Sequence, residues 1–177
     1  MYWDIDIFSD FQRSYPDESQ PLVYSALNAC ISAWSLEKWA MQAWKKNERT
    51  EDRKSDEKEF LKRLSQKIPM HGLCVDVANT TKHGAHKVDR WTDGLLELRW
   101  DEGDEDVPPG LMLVRSEGDE TTLLHSDFVA LPAQWWSFLQ EMRLVSGNQP
   151  TPRWWQNKVG RMFGRLPNLS PPPKTDW

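Results

Sequence analysis

Asp76, Asn79, Lys82 and His83 bring a carboxylate, an amide, an ammonium and an imidazole into eight residues of the stretch CVDVANTTKHGAHK. On a helix, positions 76, 79 and 83 fall at i, i+3 and i+7, so these groups share a side. Asp76 can accept a hydrogen bond and Asn79 can both donate and accept. Lys82 can hold a phosphate as a point charge. His83 can serve as general acid or base, because its unperturbed pKa lies near ~6.5. The same pattern also describes a solvated helix face, or a histidine that caps a helix end.

Other chemistries find less support. His83 and His86 suggest a metal, but Gly84 is expected to end the helix between them, and a zinc site needs three or four protein ligands. Neither a metal nor a cofactor is expected. The chain has no GxxxxGK[ST], no GxGxxG after a strand and no GxSxG. Cys30 and Cys74 fall on apolar helical faces, where a thiol is packing rather than nucleophile. The acidic run Asp101–Asp106 lacks the glycine and glutamate of a calcium loop and reads as solvated charge.

A second candidate lies near the C-terminus. Arg153, Trp154, Trp155, Lys158, Arg161 and Arg165 interleave cations with aromatics. Val159, Met162, Phe163 and Leu166 complete an amphipathic pattern over Arg153–Leu166. Such a helix can dock on a partner, lie on an anionic membrane or stack on nucleic acid. Alternatively, Trp154 and Trp155 fold back to close the core.

The passages SALNACISAWSLEKWAMQAW and CVDVANTTKHG together resemble a group of small bacterial and phage proteins. That group carries a Trp-containing first helix, an Arg-Asp-Ile-Ala-Asn-x-x-Lys-His stretch, a short sheet and a helix with a Trp. The match lies at Asp76, Ala78, Asn79, Lys82 and His83, within a likeness covering about residues 22–145. The helical half also resembles the HEPN superfamily, whose members are helical bundles, often dimeric, and often metal-independent ribonucleases of toxin and defence systems. Val75 stands where that superfamily's motif has arginine, and the interval from Asp76 to His83 is longer than its usual one. The resemblance implies His83 as acid or base, with Asn79 and Lys82 orienting phosphate in a cleft between two protomers.

These groups need elements to hold them. Val23, Leu27, Ile31 and Trp34 predict a helix over Leu22–Lys46, with alanines widening its apolar stripe. Phe60, Leu64 and Ile68 predict a second over Ser55–Lys67, ended by Pro69. A third is expected over Met70–Lys82, with Asp76, Asn79, Thr80 and His83 opposite its apolar face. The period then changes to two. Strands are expected at Leu96–Trp100, Leu111–Arg115 and Thr121–His125, the last two joined by a hairpin at EGDE. A fourth helix is expected over Pro132–Val145, with Pro132 in its first turn. The expected fold class is α+β: a bundle of three or four helices with a small antiparallel sheet.

Composition sets the frame. The chain has 177 residues, a hydrophobic fraction of 38%, a net charge of −5 and eleven tryptophans. Residues 1–21 read as an acidic arm, either extended or a short helix that pins its aromatics on the body. Residues 22–146 read as one α+β domain. Residues 147–177 read as a basic, Trp- and Pro-rich tail whose last dozen positions are expected to lack packed structure. The longest apolar runs are too short for a transmembrane helix. The acidic N-terminus lacks a signal pattern, and two cysteines build no disulfide framework, so a reduced cytoplasmic setting is expected. Two functions remain. One is a non-catalytic interaction protein of a bacterial or phage system, in defence or counter-defence, docking a macromolecular partner through aromatic and basic surface. The other is a degenerate HEPN-like ribonuclease or toxin working through Asp76, Asn79, Lys82 and His83. A protein partner is expected, with RNA and a homodimer left open.

Overall fold

Apolar residues at helical spacing fold the first half of the chain into four helices in the computed structural model, which describes residues 1–15, 17–47, 53–83, 94–105 and 109–163. These are α1 (Tyr2–Ser14), α2 (Ser19–Asn47), α3 (Arg53–Lys67) and α4 (His71–His83). Three strands follow, β1 (Gly94–Asp101), β2 (Gly110–Glu117) and β3 (Glu120–Leu123). Then come α5 (Leu124–Glu141) and α6 (Arg153–Phe163). The fold is α+β, a helical bundle with a three-stranded antiparallel sheet in the order β1-β2-β3. The contacts divide the chain into two units, Met1–Val145 and Ser146–Trp177. No helix among the described residues is long and apolar enough to cross a membrane.

Of the two forms open for the N-terminal stretch, the structure has the helix. Ile5, Phe8 and Gln12, at i, i+3 and i+7, are the buried face of α1. Phe8 meets Phe128 edge-on at 5.0 Å. Gln12 donates its Nε2 hydrogen to the Leu111 carbonyl at 2.7 Å, and Ser32 Oγ donates to Asp4 at 2.7 Å. An acidic segment thus becomes part of the first unit because one of its faces is apolar.

In α2 the buried stripe is Leu22, Ala26, Ala29, Ala33, Glu37 and Ala40. The expected stripe through Val23, Leu27, Ile31 and Trp34 is displaced around the helix, and Ile31 is 37% exposed. The reason is size. Alanines let the backbones of α1 and α4 come close, whereas large side chains on that face would hold them apart. Phe60, Leu64 and Ile68 line the buried side of the α3 region as their spacing predicts. A chain of edge contacts then runs from Phe60 to Phe138 (5.3 Å) and from Phe138 to Trp135 (5.7 Å).

The sheet pairs Leu98 with Leu113 and Val114 with Leu123. Gly118 supplies the positive φ (+58°) at the first of the two residues between Glu117 and Glu120, which suits a two-residue hairpin. The third strand and fourth helix differ from expectation. Leu124 and His125 open α5 rather than ending β3, and Pro132 lies inside α5 rather than in its first turn. Leu124, Phe128, Leu131, Trp135 and Phe138 make a continuous helical stripe. Burial of that stripe outweighs the ~3 kcal/mol that an interior proline costs a helix. The helix ends in a Schellman arrangement: Leu144 N donates to Leu139 O (2.9 Å) and Arg143 N to Gln140 O (3.0 Å), with Arg143 at φ +57°.

Candidate functional site

The helix that carries Asp76, Asn79, Lys82 and His83 is coiled through all four positions. Its burial pattern is not that of a polar face opposite an apolar one. Asp76 is 5% exposed and lies on the core side with Cys74, Val75 and Ala78, while Asn79 is half-buried. Among the described side chains of α4, Thr80 and Thr81 are the exposed ones, and Thr81 Oγ1 donates back to the Val77 carbonyl at 2.8 Å. Asp76 and Asn79 therefore do not share one accessible edge. The side chains of Lys82 and His83, and all of His86, lie outside the described residues. Among the described residues no three His, Cys, Asp or Glu side chains gather into a set able to hold a metal ion.

A different acid–imidazole pair, absent from the sequence reading, sits in the core. His71 Nε2 lies 2.8 Å from Glu37 Oε2, and Lys38 Nζ donates to Glu37 Oε1 at 2.8 Å. The Glu37 side chain is fully buried and that of His71 nearly so. Burial alone would raise the Glu37 pKa. The hydrogen bonds from His71 and Lys38, with their charges, reverse this and hold it at about 2. An ionised carboxylate only accepts, so Nε2 carries a hydrogen and donates it. Trp135 packs edge-on to the imidazole at 5.1 Å. His71 Nδ1 and Trp135 Nε1 have no hydrogen-bond partner among the described residues. A carboxylate that orients an imidazole is half of a hydrolytic triad. Here both groups are sealed from solvent, so the pair ties α2 to α4 and meets no substrate. The signal was available: Glu37 follows Ala26, Ala29 and Ala33 on one helical face, and a charge inside such a stripe must find a partner.

Cys30 and Cys74 are both buried, on α2 and α4. The Cys74 contact and burial push the Cys30 thiol well above its ordinary range, which suits packing rather than nucleophilic chemistry. His125 stands at the start of α5 near Phe8, 6.1 Å between rings. Burial, and then the Arg13 charge, lower its pKa.

The second candidate is α6. Its eleven residues carry Arg153, Lys158 and Arg161 and no acid. Arg153, Asn157 and Arg161, at i, i+4 and i+8, are exposed, while Trp154, Trp155 and Lys158 are half-buried. By spacing, Trp155, Val159 and Met162 share the other side. The start is held by Gln156, whose backbone N–H donates to the Pro152 carbonyl at 3.1 Å. The helix spans Arg153–Phe163, and the expected continuation to Leu166 lies outside the described residues. Arg165 lies outside the described residues.

The outer face of α2 adds exposed aromatics that periodicity did not single out, with Tyr24 63% and Trp39 76% exposed. No protein-family model, curated protein or solved structure matches the chain.

Proposed function

We propose that this chain is a non-catalytic interaction protein of a bacterial or phage system, acting in defence or counter-defence, that docks an acidic protein partner through α6. The supporting observation is the helix itself. It presents three cations without an acid, two tryptophans, and an exposed Arg153–Arg161 edge. Arginine and tryptophan are the side chains that most often dominate the energy of docked surfaces. A helix whose own residues include three cations and no acid, in a chain of net charge −5, favours a negative partner surface.

Affinity capture from the host with the whole chain, after nuclease treatment, tests this reading. Deleting residues 150–177 should abolish capture of a specific protein, and Arg153→Glu with Arg161→Glu should weaken it. Capture that survives both changes, or that needs intact RNA, overturns it. The ribonuclease alternative keeps one supporting observation: α4 stays helical to His83. It requires growth arrest on expression that His83→Ala relieves.

A further inference from the structure

Between α2, α4, the sheet and α5, the first unit forms a half-open apolar cavity of about 300 Å³. That is some ten times the ~30 Å³ a water occupies in the liquid. Cys30, Leu73 and Phe128 are buried in its floor, and half-buried Val23, Leu27, Val77 and Leu96 stand around its mouth. Such a lining gives water few hydrogen-bond partners. Cys30 is a neutral thiol, and among the described residues no lysine, arginine or histidine lines the space. Glu97 is the charged residue of that described lining, and its carboxylate accepts from Arg99 at 3.1 Å.

We infer that this cavity is a binding site for a small, neutral, hydrocarbon-rich molecule. Size follows from volume: an apolar cavity of ~150 Å³ takes up benzene, so this one has room for about two rings or a short alkyl chain. Charge follows from the lining. Among the described lining residues an anion would meet Glu97 and no cation, and a cation would compete with Arg99 for Glu97. The floor supplies contact area and the mouth supplies entry. The site is separate from α6 and does not depend on the docking reading.

The test is a titration of the whole chain with the neutral two-ring fluorophore 1-aminonaphthalene, paired with methyl NMR of the same samples. Saturable one-to-one binding is expected, with shifts centred on the methyls of Val23, Leu27 and Val77. Val77→Phe and Leu27→Trp fill the space from opposite walls, and each should weaken binding about tenfold or more. Val129→Phe, at an exposed position of α5 outside the lining, should not. Absent or unsaturable binding, methyl shifts centred elsewhere, or undiminished affinity in folded filled variants would overturn the inference. If both filled variants fail to fold, the methyl map of the unaltered chain decides.

Discussion

Glu37 sits on the alanine face of α2, where His71 and Lys38 offset its desolvation. Removing the charge leaves an imidazole facing a weaker acceptor inside the core. Glu37→Gln is expected to destabilise the chain by about 3–5 kcal/mol, the usual cost of breaking a buried pair from one side. Urea unfolding at neutral pH measures it. The pH dependence has a definite sign. Folding lowers the Glu37 pKa from its ordinary 4.5 to about 2, so the native state holds its proton less readily. The stabilisation is fully present above about pH 4.5 and is lost as pH falls through about 2, an effect on the order of 3 kcal/mol. Urea midpoints between pH 6 and pH 2.5 should fall more steeply for the natural chain than for Glu37→Gln. Equal slopes would mean that Glu37 is not the titrating group. Arg143 is the second residue with a clear energetic sign. It holds φ +57° at the helix position where glycine is usual. Arg143→Gly should raise stability by about 1 kcal/mol, read as a higher melting temperature with unchanged circular dichroism.

At the scale of elements, period and termini separate what could be read from what could not. α3 and α4 were legible because each has an apolar stripe and Pro69 lies between them. β1 and β2 were legible from strict alternation. The β3–α5 junction was not. Thr121–His125 fits a strand locally, and only the contact of Phe8 with Phe128 and the burial of Leu124 show where the helix begins. α6 was legible in kind, and its chemistry makes a prediction at its own scale. Replacing Trp155, one of the two tryptophans of this helix, with alanine should weaken capture of the partner by about tenfold or more. Asn157→Ala, which removes neither a charge nor an aromatic from the exposed Arg153–Arg161 edge, should change it little. A pull-down series at fixed salt distinguishes the two, and equal losses would remove the anchoring role assigned to Trp155.

At the scale of the molecule, the buried hydrophobic cluster of the described residues lies within Met1–Val145. It draws on α1, α2, α4, β2 and α5, and on Phe60 and Leu64 of α3. A chain ended at Val145 should therefore unfold cooperatively with near-native far-ultraviolet dichroism. Loss of the transition would show that residues 146–177 are needed for the core. The opposite truncation, from Met1 to Ser14, removes Ile5 and Phe8 and should destabilise the unit by at least about 3 kcal/mol, given what truncating a single buried Phe costs.

Helix and strand identity, the α+β class and the one-sided basic character of α6 were written in the order of residues, because each depends on neighbours within a few positions. Which face of α2 is inside, that Asp76 lies on the core side of α4, and that Glu37 meets His71 were decided by packing. Alanine carries no local signal of burial, and a glutamate within an alanine stripe signals that it needs a partner without naming it. Their positions are set by how closely α1, α4 and α5 approach, and that distance is a property of the assembled chain.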